Sequence, residues 1–259
     1  MINENPIGLF DSGIGGTSIW SAINNLLPHE DTIYLADSIN APYGEKSKEE
    51  IIALSSKNTE YLLNLNCKII VVACNTATTN AIKELRAKYK VPFIGIEPAI
   101  KPAALNSKTQ KIGILATKGT LNSELFYKNV EKFQEIKIIE QIGYELVTLI
   151  ENGEINSPYM NQLLIKYLTP MINANIDYLV LGCSHYPYLI PQIENILPKN
   201  IKIIDSGEAV AKQTMAVLKN NSDLNNLTHT AKSIFYTNAD FKVLREILKN
   251  KYTVEQKVF

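Results

Sequence analysis

The sequence predicts an α/β fold: two pseudo-symmetric domains with mainly parallel sheets flanked by helices, and an active site in the cleft between them. Three observations lead there. Short apolar runs alternate with longer helical patterns along most of the 259 residues, as parallel strands joined by crossover helices require. The runs are near-continuous in Ile, Val and Leu, the pattern of strands covered on both faces. Finally, the chain repeats itself at nearly one offset. Residues 69–74 (IIVVAC) resemble 178–183 (YLVLGC) at a spacing of 109, residues 7–10 (IGLF) resemble 112–115 (IGIL) at 105, and 91–99 resemble 201–209 at 110.

Residues 7–10 form a buried strand that runs into the turn Asp11-Ser12-Gly13-Ile14-Gly15-Gly16. Residues 32–35 form a second strand, followed by Asp37-Ser38 and Pro42-Tyr43-Gly44. The strand at 69–73 ends on Cys74-Asn75-Thr76 and leads into a helix over 77–88, and 92–96 give a fourth strand. A stretch rich in Pro, Ala and Ser at 98–108 marks the boundary between halves. Strands at 111–115, 136–140, 178–181 and 201–204, with a helix over 159–173, make the second half. Its strand-end loops are Thr117 to Thr120 and Cys183-Ser184-His185-Tyr186-Pro187. The tail after Ser206 holds a helix, a polar loop at 220–229, a strand at 233–236 and another helix. It has too little core to stand alone and is expected to pack on the first half. The predicted division is 1–98 plus 208–259 for one domain and 99–207 for the other.

Composition narrows the function. Lys plus Arg and Asp plus Glu each total 26. That balance argues against a nucleic-acid or anionic-membrane binder, which carries excess positive charge. Three cysteines, Cys67, Cys74 and Cys183, are too few and scattered for a disulfide scaffold and read as reduced thiols of a cytoplasmic protein. Residues 1–6 lack the basic-then-apolar pattern of a secretory leader. The longest apolar runs fall far short of the roughly 20 residues of a membrane span.

In a parallel α/β sheet, ligands bind beyond the carboxyl ends of the strands, where all five polar loops sit. The turn from Asp11 to Gly16 precedes a helix, and its glycines permit a tight turn with amide N–H groups facing an anion. A dinucleotide fingerprint with Asp37 on the ribose is a rival reading, but Ser18 stands where its third glycine belongs and Asp11 places negative charge beside the pyrophosphate. A plain tight turn is the other alternative. Cys74 and Cys183 each follow a buried strand and precede a helix, a position that lowers a thiol pKa and favours the thiolate. The opposing reading makes both small core hydrophobes. His185 stands two residues beyond Cys183 as its acid–base partner, or as a satisfied buried histidine. Asp11 can serve Cys74 likewise, since adjacent strand ends bring their loops together. A zinc site from Cys74, Cys183 and His185 is disfavoured because the chain has no C-x-x-C pair. Cys67 precedes its strand and receives no role.

Two thiols facing each other across a cleft can take a proton from one face of a carbon and deliver another to the opposite face, inverting a stereocentre without a cofactor. Taken together, Asp11 to Gly16, Pro42-Tyr43-Gly44, Ile94 to Ala99, Ala73 to Ala77, Thr117 to Thr120 and Gly182 to Pro187 resemble the signatures of the glutamate racemases, over about the first 210 residues. The histidine of Cys183-Ser184-His185 is similar to the glutamate enzymes rather than to their aspartate-specific relatives.

This resemblance implies cofactor-independent interconversion of L- and D-glutamate, supplying D-glutamate for peptidoglycan. It implies that Cys183 deprotonates the L-enantiomer and Cys74 the D-enantiomer, with His185 and Asp11 as their respective helpers. Substrate binding falls to Asp11, Ser12, Tyr43, Gly44, Asn75, Thr76, Ser184 and His185, with Asp37, Glu151, Thr117 and Thr120 in support. Glutamate is the expected partner, no metal or cofactor is expected, and a homodimer is a further option. Ser184 stands in place of the family's usual threonine and keeps the hydroxyl, and 143–148 departs from the family pattern around Glu151. The alternatives are an aspartate racemase or one-cysteine decarboxylase of the same superfamily, a cysteine hydrolase using one thiol with His185 as base, and an amino-acid or nucleotide binding protein with dispensable cysteines.

Overall fold

The computed structural model describes residues 4–225, 228 and 230–259. Residues 1–6, read above as lacking a leader pattern, therefore lie partly outside the described residues, as does the polar loop at 220–229.

Along the chain run β1 (Ile7–Asp11), α1 (Thr17–Leu26), β2 (Thr32–Ala36), α2 (Lys48–Asn64), β3 (Ile69–Val72), α3 (Asn75–Lys88) and β4 (Phe93–Gly95). The same succession begins again with α4 (Ile100–Asn106), β5 (Lys111–Ala116), α5 (Lys118–Leu121), α6 (Glu124–Val130), β6 (Lys137–Ile142), α7 (Leu146–Glu151), α8 (Pro158–Asn173), β7 (Tyr178–Gly182), α9 (Ile190–Ile196) and β8 (Lys202–Ile204). The tail supplies α10 (Gly207–Asn220), β9 (Ser233–Thr237), α11 (Lys242–Ile247) and β10 (Thr253–Gln256).

Two parallel sheets result, ordered β10-β9-β2-β1-β3-β4 and β6-β5-β7-β8. Their shared four-strand order is the structural form of the sequence repeat. Each of the three repeated segments falls on a corresponding strand: β1 with β5, β3 with β7, β4 with β8. The registers agree as well, with Phe10 beside Val72 in one sheet and Leu115 beside Leu181 in the other. Counting on from those partners, Cys74 and Cys183 occupy equivalent places.

Side chains alternate across each sheet, as strand geometry requires. On β1 and β3, Leu9, Ile69 and Val71 enter a core shared with Leu115, Leu179 and Leu181 of the second sheet. Phe10, Ile70 and Val72 pack on the opposite face with Leu62 and Leu85. Ile112, Ile114 and Val180 line the far face of the second sheet with Phe126.

The tail returns to the first sheet, as its composition predicts: α10 lies on α1, and β9 pairs with β2. The strand β10 was not anticipated. Its residues Thr253-Val254-Glu255-Gln256 are mostly exposed at the sheet's edge, with only Val254 buried. One apolar side chain gives too little pattern to mark a strand. The helix expected over 77–88 begins at Asn75, because Cys74 itself caps it.

Candidate active site

The helix α3 starts where Cys74 Sγ accepts the Ala77 N–H at 3.4 Å, the place an N-cap hydroxyl usually fills. The same thiol donates toward Ser12 Oγ at 3.7 Å. Here the sequence expectation needs correction. Burial pushes the Cys74 thiol well up, helped by the negative charge of Asp11, and the Ala77 and Ser12 contacts do not offset it. Desolvation of a charge outweighs a helix terminus when the group is this enclosed. In this arrangement Cys74 is a protonated thiol.

Cys183 leaves the end of β7 and meets a different neighbour. Its Sγ lies 3.9 Å from His185 Nδ1, and the ring's Nε2 lies 2.5 Å from Glu151 Oε1. Asp11 Oδ2 stands 3.9 Å from Nδ1. Burial lowers the His185 pKa, but the hydrogen bonds to Cys183 and Glu151 and the charges of Asp11 and Glu151 outweigh it and hold it well above its ordinary value. The ring is therefore an imidazolium with both nitrogens donating. Gly15 N–H, 3.2 Å from Nε2, then has no acceptor there; the short contact to a carboxylate decides which bond forms.

The glycine-rich turn serves the chain's own carboxylates rather than an outside anion. Gly13 and Gly16 N–H donate to Asp11 Oδ2 at 3.1 and 3.0 Å, and Ile14 N–H donates to Glu151 Oε1 at 2.7 Å. Asp11 also accepts from Ser184 Oγ at 3.0 Å. Burial raises its pKa despite His185 and Gly16. Its hydrogen bonds run to the turn and to Ser184, so it reaches Cys74 through charge. The glycines answer to close approach, not to backbone twist. A Cβ on Gly13 would sit 2.0 Å from Glu151 Oε1, and one on Gly15 would sit 2.1 Å from His185 Nδ1.

Both thiols line one cavity, with Ser12, Pro42, Tyr43, Gly44, Asn75, Thr76, Thr117, Val147, Ser184 and His185 around them. Its free volume is about 10 Å³, the room of roughly one water. The roomy cavities, about 530 Å³ beside Lys83 and Arg86 and about 640 Å³ beside Lys199, lie elsewhere. A ligand larger than water therefore needs the cleft to open. Within the cavity wall, Asn75 keeps both Nδ2 and Oδ1 buried without hydrogen-bond partners, leaving an amide free to pair with a ligand.

Of the residues singled out in the sequence, Asp11, Asp37, Glu151 and Thr120 stand behind the wall. Thr76, Thr117 and Thr120 join their hydroxyls, at 2.8 Å between Thr76 and Thr117 and 3.0 Å between Thr117 and Thr120. Tyr43 donates its hydroxyl to Asp37, and burial followed by the Asp37 charge raises its pKa well above the ordinary phenol value. Glu151 arrives from α7 and also accepts from Ser38 Oγ at 2.8 Å. Val147 lines the cavity and was not foreseen. It sits on a short helix entered through left-handed Glu145, so neither periodicity nor a cap residue marks it in the sequence.

The sequence model described as Asp/Glu/Hydantoin racemase matches residues 8–214. The glutamate racemase of Herpetosiphon aurantiacus is 40% identical over 252 residues, covering 96% of this chain and 99% of that protein. Glutamate racemase isoform RacE1 of Bacillus anthracis superposes with a TM-score of 0.88 at 30% identity, over 98% of both chains. The Escherichia coli glutamate racemase, solved with L-glutamate and the activator UDP-MurNAc-ala, gives a TM-score of 0.87 at 31% identity, over 97% of this chain and 98% of its own.

Proposed function

The chain belongs to the Asp/Glu/Hydantoin racemase family, and from that premise we propose that it interconverts L- and D-glutamate by proton transfer between two cysteines. The observation that carries the mechanism is that Cys74 and Cys183, at equivalent places in two like-ordered sheets, border one cavity.

The substrate enters as the cleft opens and lies between the sulfurs. With L-glutamate, Cys183 as thiolate takes the α-proton, and the imidazolium of His185 supplies the neighbouring positive charge. The electron pair left on the α-carbon delocalises into the α-carboxylate, which Asn75 and the hydroxyls of Ser12, Thr76 and Ser184 hydrogen-bond as charge builds there. Cys74, whose thiol burial keeps protonated, delivers its proton to the opposite face. The product is D-glutamate with Cys183 as thiol and Cys74 as thiolate; the reverse reaction exchanges their parts. One proton leaves and one arrives, so no oxidant, reductant or cofactor is consumed. General acid–base chemistry of this kind contributes about 10² to 10⁴ in rate for a positioned group.

The wider reading is a cytoplasmic enzyme supplying D-glutamate for peptidoglycan, acting alone or as a homodimer. The proposed domains are 1–98 with 208–259, and 99–207. The family supports that setting. Among the described residues, no helix is long and apolar enough to cross a membrane.

The test is to follow L-glutamate by circular dichroism with the pure protein and no added cofactor. Optical activity should decay to zero, and aspartate should turn over far more slowly. Faster turnover of aspartate would move the assignment to the aspartate-specific relatives. Release of ammonia would favour a hydrolase.

A further inference from the structure

The family match stops at residue 214, yet a residue beyond it bonds to Asp37 behind the wall of the cavity. Asn238, one position past the end of β9, uses both ends of its side-chain amide on the loop that follows β2. Its Nδ2 donates to Asp37 Oδ1 at 2.5 Å, and its Oδ1 accepts the Ile39 N–H at 3.0 Å. Asp37 is buried, and among the described residues the partners of its carboxylate are neutral hydrogen-bond donors. Asn40 Nδ2 also donates to Oδ1 at 2.8 Å; on Oδ2 it receives the Tyr43 hydroxyl and Asn58 Nδ2, the latter at 3.4 Å. Asn58 Nδ2 also lies 3.1 Å from the Tyr43 oxygen. Tyr43 and its neighbours Pro42 and Gly44 form one side of the cavity.

We propose that Asn238 is a positioning residue for the site. It fixes the Asp37 carboxylate, and through that carboxylate it fixes the Tyr43 wall against which the substrate packs. The C-terminal segment thereby completes a pocket whose other parts all come from before residue 214. A buried carboxylate that loses a donor must find another or move, because an unsatisfied charge is expensive in such a place. The side chain that would move with it is Tyr43. The inference rests on the racemase reading for its kinetic consequence and on geometry alone for its structural one.

Four variants of the full chain test it. In Asn238→Ala, KM for both glutamate enantiomers should rise about tenfold with kcat within about threefold, the size expected from loss of one hydrogen bond to a charged group. Asn238→Asp is closer in size but sets a second carboxylate against Asp37, so its KM should exceed that of Asn238→Ala. Adding Asn238→Ala to Asp37→Asn should change KM by less than about twofold, since the two act through one contact. Val254→Ala, a buried truncation in β10 away from this network, should lower the melting temperature and leave KM unchanged. An unchanged KM in Asn238→Ala, or an equal rise in Val254→Ala, overturns the proposal.

If the wild-type protein racemises no glutamate, the functional reading fails, and the hold of Asn238 on Tyr43 is read by fluorine NMR of protein labelled with 3-fluorotyrosine. The Tyr43 resonance, assigned with Tyr43→Phe, should shift in Asn238→Ala and hold still in Val254→Ala. A resonance that does not move in Asn238→Ala overturns the positioning role independently of catalysis.

Discussion

The two thiols hold equivalent places but not equivalent neighbourhoods. Cys74 sits among neutral groups, with the Ser12 hydroxyl and the Ala77 amide as its contacts and Asp11 adding only unfavourable charge. Cys183 faces an imidazolium that Glu151 and Asp11 keep protonated. Two like-ordered sheets thus place the sulfurs at equivalent points beside one cavity, while the loops that carry them differ. The difference teaches that strand order sets where the two sulfurs stand, and the loops set which charges surround each. In this arrangement burial keeps the Cys74 thiol protonated, the state that the proposed transfer from L-glutamate needs of it.

Removing either sulfur is the largest break in that comparison. Cys74→Ala and Cys183→Ala should each lower kcat/KM by at least about a thousandfold. Because L- and D-glutamate have equal free energies, kcat/KM must be the same in both directions for every variant. Comparing the two directions of one variant by that ratio therefore says nothing about the half-sites; separate kcat and KM values, or the losses in different variants, do. A cysteine variant that keeps a tenth of wild-type activity would remove the need for two thiols.

Next in size is the cation beside Cys183. His185→Asn should cost about a hundredfold in kcat/KM, and Gly15→Ala should approach it by driving a methyl group into the ring. A Gly15→Ala enzyme of near wild-type activity would show that the ring can shift without consequence. On the neutral side, Ser12→Ala removes one weak hydrogen bond to sulfur and should cost about threefold to tenfold. A Ser12→Ala effect as large as that of His185→Asn would erase the contrast between the two half-sites.

The smallest effect is on stability against pH. The His185 pKa is raised in the folded protein above an unfolded value of 6.5. Its stabilising contribution is therefore complete below about pH 6.5 and is lost as pH rises through the raised folded value. The melting temperature should fall by about 2–4 °C for each kcal/mol lost as pH rises from 6.5 to about 7.5, a window below the ordinary thiol pKa of about 8.5. Glu151→Gln removes one of the charges that raise the pKa, so its melting temperature should fall less across that window. An identical slope in the variant would deny Glu151 its part in holding the proton.

Much of this was legible in the sequence because the relevant signals are local. The strands announce themselves through unbroken Ile and Val, and the repeat at 105 to 110 residues marks the paired sheets. Cys74, Asn75, Thr76, Cys183, Ser184 and His185 lie directly beyond such strands, where a parallel sheet places its ligands. What was hidden depends on contacts between distant segments. The turn from Asp11 to Gly16 looks like an anion cradle until Glu151, 137 residues from Ile14, fills it. Its glycines look like turn formers until His185 and Glu151 press against them. The lowered thiol pKa expected at a helix start gave way at Cys74 because only the assembled structure shows how fully the sulfur is buried. Asn238 carries no pattern at all; a lone asparagine after a short strand gains meaning only from Asp37.

Symmetric placement of two acid–base groups makes its most direct claim about where hydrogen comes from. L-glutamate is incubated with the wild-type protein in heavy water, and the earliest turnover is sampled by NMR and chiral separation. Two-thiol transfer predicts that D-glutamate carries deuterium at its α-carbon while the remaining L-glutamate keeps its original hydrogen. Deuterium appearing equally fast in recovered L-glutamate, or hydrogen retained in the D-product, would mean that a single group serves both faces and would contradict the account.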